Sequence, residues 1–457
     1  MDLGQMLPMW SIIPFVGMLL SIALFPLFKP EWWEKHQLHV AIFWSVLFML
    51  PFGIFFGIQT LGYQLVESIV LDYIPFIVLL FGLFVVSGGI AITGTLIGTT
   101  RVNMLILTIG TILASFIGTT GAAMLFIRPL LRANKWRKYK AHTIIFFIFM
   151  VANLGGSLTP LGDPPLFLGY LRGVPFFWTL VHMWPLMLFN SVVLLLVYFL
   201  MDRHFYKKEL DEGRSPKDSL DGQERVKLAI EGKQNFLYLL IIIIAVILNG
   251  SMGKMDLFIN PETSKTYGFM VFDDIHIGIE YFTQIILILL AAFLSLKTTS
   301  NRVREINDFN YEPIAEVAKL FIGIFITMIP ALALLRAHGA SLGVSEPWQF
   351  FWVTGALSSF LDNSPTYVVF LTLAGSLGAA EGVVTTVGTV APQLLLAISA
   401  GAVFMGANTY IGNAPNMMVK NIADSNGAKM PSFFGYMGWA LAILVPLFII
   451  DTFIFCL

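Results

Sequence analysis

The sequence is dominated by apolar runs close to the twenty residues that a bilayer demands of a helix, recurring at about 7 to 28, 38 to 58, 73 to 97, 143 to 170, 177 to 201, 235 to 250, 277 to 296, 317 to 337, 391 to 423 and 433 to 456. A chain so patterned has little choice of fold: helices satisfy their own backbone in lipid, and an open sheet does not. Hydrophobic residues make up 57% of the 457 and charged residues only 12%, about half the share found in soluble domains. The net charge of -1 excludes the basic surface that nucleic acid selects, so no nucleic-acid partner is expected. A single cysteine, Cys456, excludes an intrachain disulfide and a cysteine-based metal or redox site.

Two further apolar segments, about 102 to 133 and 349 to 375, are interrupted at their centres by Gly118-Thr119-Thr120-Gly121 and Asp362-Asn363-Ser364-Pro365. Non-helical backbone survives at membrane depth only where protein or a water-filled cavity surrounds it, so both read as re-entrant helical hairpins. The fold class is therefore an all-α polytopic membrane protein with about ten spans plus two hairpins.

Lysine and arginine then orient the chain, because short basic loops stay cytoplasmic. The segment 128 to 140 and the linker 202 to 234 are rich in both, and the loop holding Lys297, Arg302 and Arg304 joins them inside. The stretch from Gln59 to Asp72 has acidic but no basic residues and is expected outside. With ten spans, the first hairpin opens to the cytoplasm, the second to the exterior, and both termini lie outside. The linker reads as a solvated tether, with Gln223 to Ile230 either a short amphipathic helix on the membrane face or plain loop. Arg101, Arg128, Arg132 and Arg172 fall near membrane boundaries, where snorkelling is expected.

The halves repeat. Ala114-Ser115-Phe116-Ile117 matches Ser358-Ser359-Phe360-Leu361, the segment Gly156 to Pro165 matches Gly406 to Pro415, and Val174-Pro175-Phe176-Phe177 recurs as Met430-Pro431-Ser432-Phe433-Phe434. Three anchors in one order argue for duplication. The charge rule starts the first unit outside near Ile69 and the second inside near Tyr311, which makes an inverted-topology repeat, each copy with one hairpin and one discontinuous helix. The expected divisions are 1–68 (two scaffold helices), 69–201 (first repeat), 202–234 (cytoplasmic linker), 235–310 (connecting helices) and 311–457 (second repeat).

Four polar clusters fall at the breaks, and they define the candidate site: Thr119 and Thr120; Ser157, Thr159 and Asp163; Asp362, Asn363, Ser364 and Thr366; and Asn408, Thr409 and Asn413. Hydroxyl, amide and carboxylate oxygens suit a hard cation, and the lack of clustered histidines disfavours a transition metal. Asp163 and Asp362 are the candidate proton carriers, since an ionisable group inside a span is costly unless paired, hydrated or functional. Either aspartate also fits helix capping, Asp163 before Pro164-Pro165 and Asp362 before the returning hairpin arm. A carboxylate that takes a cation at one moment and a proton at another gives antiport. No cofactor motif is present; sodium and protons are the expected ions.

The segments Asn153 to Pro165 and Gly406 to Asn416 resemble the ion transporter superfamily, and Ser358 to Thr366 is similar to the second-hairpin segment of NhaD-type sodium/proton antiporters and related citrate-transporter-like proteins, over about residues 69 to 457. The resemblance implies hairpin tips and unwound loops forming paired sites, a transport domain moving against a scaffold, and commonly a homodimer. Superfamily members move sodium, citrate, dicarboxylates, arsenite and folate fragments, so a sodium- or proton-coupled carboxylate transporter stands as the alternative to sodium/proton antiport. The tip Gly118-Thr119-Thr120-Gly121 departs from the Asp-Asn pair of antiporters and the Ser-Asn-Thr of dicarboxylate carriers, leaving open whether that tip keeps a cation site. An integral plasma-membrane protein, in bacteria the inner membrane, is the expected setting, with the lipid bilayer and a small ion or carboxylate as its partners. No nucleophile-and-base constellation or metal cluster points to an enzyme.

Overall fold

The computed structural model describes residues 3–216, 225–272 and 274–455; Cys456 and residues 217–224 of the linker lie outside them. Helices build 74% of it, and the strands form three short two-stranded pairs. Among the described residues ten helical runs are long and apolar enough to cross a membrane. Nine coincide with expected spans. The tenth is Thr100–Ile117, the first arm of hairpin 1, while the expected span 391 to 423 is broken, with only Pro392–Asn408 remaining as a shorter apolar helix.

Both hairpins are present. Hairpin 1 joins Thr100–Ile117 to Thr119–Ala133 through Gly118, whose φ of 81° favours a residue without Cβ. Hairpin 2 joins Pro347–Ser358 to Asn363–Ser376, and Asp362 caps the returning arm by accepting from the Ser364 N–H at 2.9 Å. Two discontinuous helices follow the hairpins. The first runs Ala141–Met150, unwinds through the tight turn Leu154–Leu158, and resumes as Pro164–Leu171; the second runs Pro392–Met405, unwinds at Gly406–Asn408, and resumes as Ala414–Ser425. Each resumes at a proline pair or Ala-Pro, residues suited to a first helical turn because the missing N–H has no partner to lose there.

The breaks are held by matching bonds. Ser115 Oγ donates to the Gly155 carbonyl, and its counterpart Ser359 Oγ donates to the Met405 carbonyl. Thr159 Oγ1 donates to the Ser115 carbonyl, Thr409 Oγ1 to that of Ser359. In each loop the two glycines lie back to back: a Cβ on Gly162 would stand 2.2 Å from the Gly156 carbonyl oxygen, and one on Gly412 2.5 Å from that of Gly406. Packing is reciprocal as well. The returning arm of hairpin 1 lies on Ala414–Ser425, and the returning arm of hairpin 2 lies on Pro164–Leu171, so each hairpin contacts the broken helix of the other half.

The helices Ile13–Phe28 and Pro30–Phe56 pack on Glu312–His338 and expose long apolar faces, whereas Ala141–Leu158 is 89% enclosed and occupies the centre. Three expectations are revised or narrowed. The helix before the linker does not end at 201 but runs Trp178–Asp211, because its charges find partners: Asp202 meets Arg137 and His142, each at 2.7 Å, and Glu209 accepts from the Tyr139 N–H at 2.5 Å. Downstream, 229–231 is a strand paired with 91–93, and 225–228 is irregular, so the described part of Gln223 to Ile230 is not helical. Arg172, expected to snorkel, is 4% exposed and paired with Asp72 at 3.0 Å, since the π-helical turn Glu67–Tyr73 brings that carboxylate to it.

Candidate functional site

Four helices begin at one point. Asp163 precedes Pro164–Leu171, Thr119 opens the returning arm of hairpin 1, Asn363 opens that of hairpin 2, and Asn413 precedes Ala414–Ser425. Their side chains converge on the Asp163 carboxylate. Oδ1 accepts from Thr119 Oγ1 at 3.0 Å and from Asn413 Nδ2 at 3.2 Å, and Oδ2 accepts from Asn363 Nδ2 at 2.7 Å. All four residues are at most 2% exposed. A carboxylate of the first half is thus bonded by two amides of the second.

The electrostatics follow from the backbone. A helix N-terminus carries free N–H groups and partial positive charge, so four of them meeting favour an anion at their focus. Asp163 supplies that charge from within the protein. Among the described residues no basic side chain hydrogen-bonds it, and its donors are all neutral.

The other sequence-derived candidates divide. Asp362, half-buried, directs Oδ1 to the Ser364 N–H, and Thr366 Oγ1 donates to its carbonyl at 2.9 Å, so both shape the tip of hairpin 2. Ser364 Oγ donates to Asn363 Oδ1 at 3.3 Å and orients that amide. Ser157 is fully buried with a hydroxyl that has no described partner, and Asn408 spends Nδ2 on Ser359 Oγ at 2.9 Å while its Oδ1 has none. Thr159 and Thr409 are committed to hairpin carbonyls and fasten the unwound loops. Thr120 is half-buried on the returning arm of hairpin 1, beside Thr119.

Two residues escaped the sequence reading. Asn153 Nδ2 donates to Asn416 Oδ1 at 2.7 Å, and Asn153 Oδ1 accepts from Asn413 at 3.2 Å. Asn416 in turn donates to the Gly406 and Thr409 carbonyls at 2.8 and 2.9 Å. Both are fully buried and tie the two broken helices together behind Asp163. Their signal was their place at the ends of the matched segments: an amide in an apolar run needs a partner, and another unpaired amide was at hand.

Among the described residues, ten membrane-length apolar helices, arranged with two hairpins and two broken helices around a buried polar centre, define a polytopic membrane protein of the secondary-transporter class. Over residues 4–456 the chain matches the family described as "Putative citrate transport", and it belongs to that family, within the ion transporter superfamily. The match takes in the first two spans, which the resemblance read from the motifs had left out. A comparison with curated proteins finds no match.

Proposed function

We propose that this chain is a sodium/proton antiporter in which Asp163 holds a sodium ion in one step and a proton in another. The reading rests on one observation: Asp163 is a buried carboxylate whose partners are neutral donors drawn from both halves. Oxygen ligands for a hard cation are at hand in Asp163, Thr119, Ser157 and the side-chain oxygens of Asn363, Asn408 and Asn413, with Asp362 beside them. Proton and cation compete for the same lone pairs, and that competition couples their movement. Residues 69–201 and 311–457 act as inverted copies, so hairpin tips that part from the broken-helix loops on one side and then the other give alternating access in a plasma membrane.

A second reading, sodium- or proton-coupled uptake of citrate or another carboxylate, is favoured by the family and by the four converging helix N-termini, which suit an anion. Proteoliposomes separate the two. With an imposed sodium gradient, antiport makes internal pH respond to sodium or lithium, and Asp163→Asn abolishes the response. If internal pH is indifferent to sodium while labelled citrate accumulates, the carboxylate reading replaces it.

A further inference from the structure

The last span, Phe433–Phe455, contains a carboxylate that the proposed cycle does not use. Asp451 has no exposed surface, and an ionisable group in that position is costly unless it is paired or functional. Facing it from Trp178–Asp211 is Asn190, 1% exposed, whose Nδ2 donates to Asp451 Oδ2 at 2.9 Å and to the Leu186 carbonyl at 3.0 Å. The remaining oxygen of each partner, Asp451 Oδ1 and Asn190 Oδ1, has no donor among the described residues.

Beside it, Trp352 of hairpin 2 donates its indole N–H to Thr452 Oγ1 at 2.9 Å. Among the described residues no charged side chain pairs with Asp451. An ionised carboxylate in these surroundings keeps a full charge against one amide, and it leaves two acceptors of the same pair unpaired. One proton on Asp451 Oδ1 removes the charge and supplies the missing donor, because a carboxylic acid and a primary amide are complementary, each offering one donor and one acceptor. A small cavity lined by Asn190 also touches Leu154 and Ala407, one from each unwound turn.

We propose that Asp451 is a proton-binding site distinct from Asp163, with Asn190 as its positioning residue. Its part in the transport cycle rests on the proton-coupled reading above; its occupancy by a proton does not. Infrared spectroscopy of the reconstituted full chain tests it. The wild-type protein is expected to show a protonated-carboxyl band at neutral pH that Asp451→Asn lacks and that Asn190→Leu shifts, and Asp451→Asn is expected to alter the pH profile of transport. A spectrum unchanged in Asp451→Asn overturns the proposal while leaving antiport intact. Loss of the band in a protein that shows no sodium-dependent pH response sinks antiport and keeps the proton site. Where Asp451→Asn does not fold, Asp451→Glu retains the acid, and a band unmoved in both Asp451→Glu and Asn190→Leu overturns the assignment.

Discussion

Asp163 Oδ2 accepts a hydrogen bond from Asn363 Nδ2 at 2.7 Å, across 200 residues of sequence and from one half of the chain to the other. A loop of the first half is thereby fastened to the hairpin tip of the second. Any motion that exposes the centre from the side of hairpin 2 must break this bond. Asn363→Leu leaves a buried carboxylate short of a donor, which costs about 1–3 kcal/mol. We expect a lower unfolding temperature in detergent and weaker sodium dependence of transport. Unchanged values for both would separate Asn363 from the site.

Asp163→Asn removes the charge while nearly preserving shape. Four helix N-termini then face a neutral amide, and the proposed proton carrier is gone. Ion-coupled transport is expected to fall to background, with size-exclusion behaviour and helical content retained. Coupled transport persisting in this variant contradicts the assigned role.

The back-to-back glycines give a steric test. Gly162→Ala places a Cβ 2.2 Å from the Gly156 carbonyl oxygen, and its nearest neighbours are all Gly156 backbone atoms with no flexible side chain to yield. Expression or transport is expected to be lost. Gly438→Ala, whose added Cβ meets nothing within 4 Å, is the control and is expected to behave as wild type.

The Asp72–Arg172 pair joins the π-helical turn Glu67–Tyr73 to the end of the first broken helix. Removing the carboxylate leaves the guanidinium buried without its counter-charge, at a cost of about 3 kcal/mol. Asp72→Asn is expected to lower thermal stability more than Asp308→Asn, whose partner pairing with Arg128 is solvent-exposed on the acidic side. Equal effects in a thermal-shift assay would refute the ranking.

At the other end of the molecule Tyr139 Oη donates to Glu212 Oε1 at 2.7 Å, and this bond, followed by Lys138, holds the Glu212 carboxyl below its usual range. A depressed acid contributes above its unfolded pKa and loses that contribution as pH falls through the folded value. The contact between this helix end and the loop at 139 is therefore expected to loosen in acid. Hydrogen exchange at 209–214 should rise as pH falls, after correction for intrinsic rates, and Tyr139→Phe should flatten that response.

The sequence by itself determined the membrane class and marked the interrupted segments, because apolar length and helix-breaking residues are local properties that a bilayer enforces; its repeated motifs argued for a duplication. It also picked out Asp163, Asn363 and Asn413 as polar groups at breaks. Which of them meet was decided only in three dimensions: Asp163 and Asn363 are brought together by the reciprocal packing of each hairpin on the opposite broken helix, a long-range arrangement with no local signature. The same holds where the reading fell short. Asp202 and Arg172 looked like solvated charges by composition, and they are buried because Arg137 and Asp72, remote in sequence, neutralise them, with His142 hydrogen-bonded to Asp202. Asn153, Asn416 and Asp451 were single polar residues in apolar runs, and a polar group in such a run shows its role only when the partner that satisfies it, or fails to, is in place.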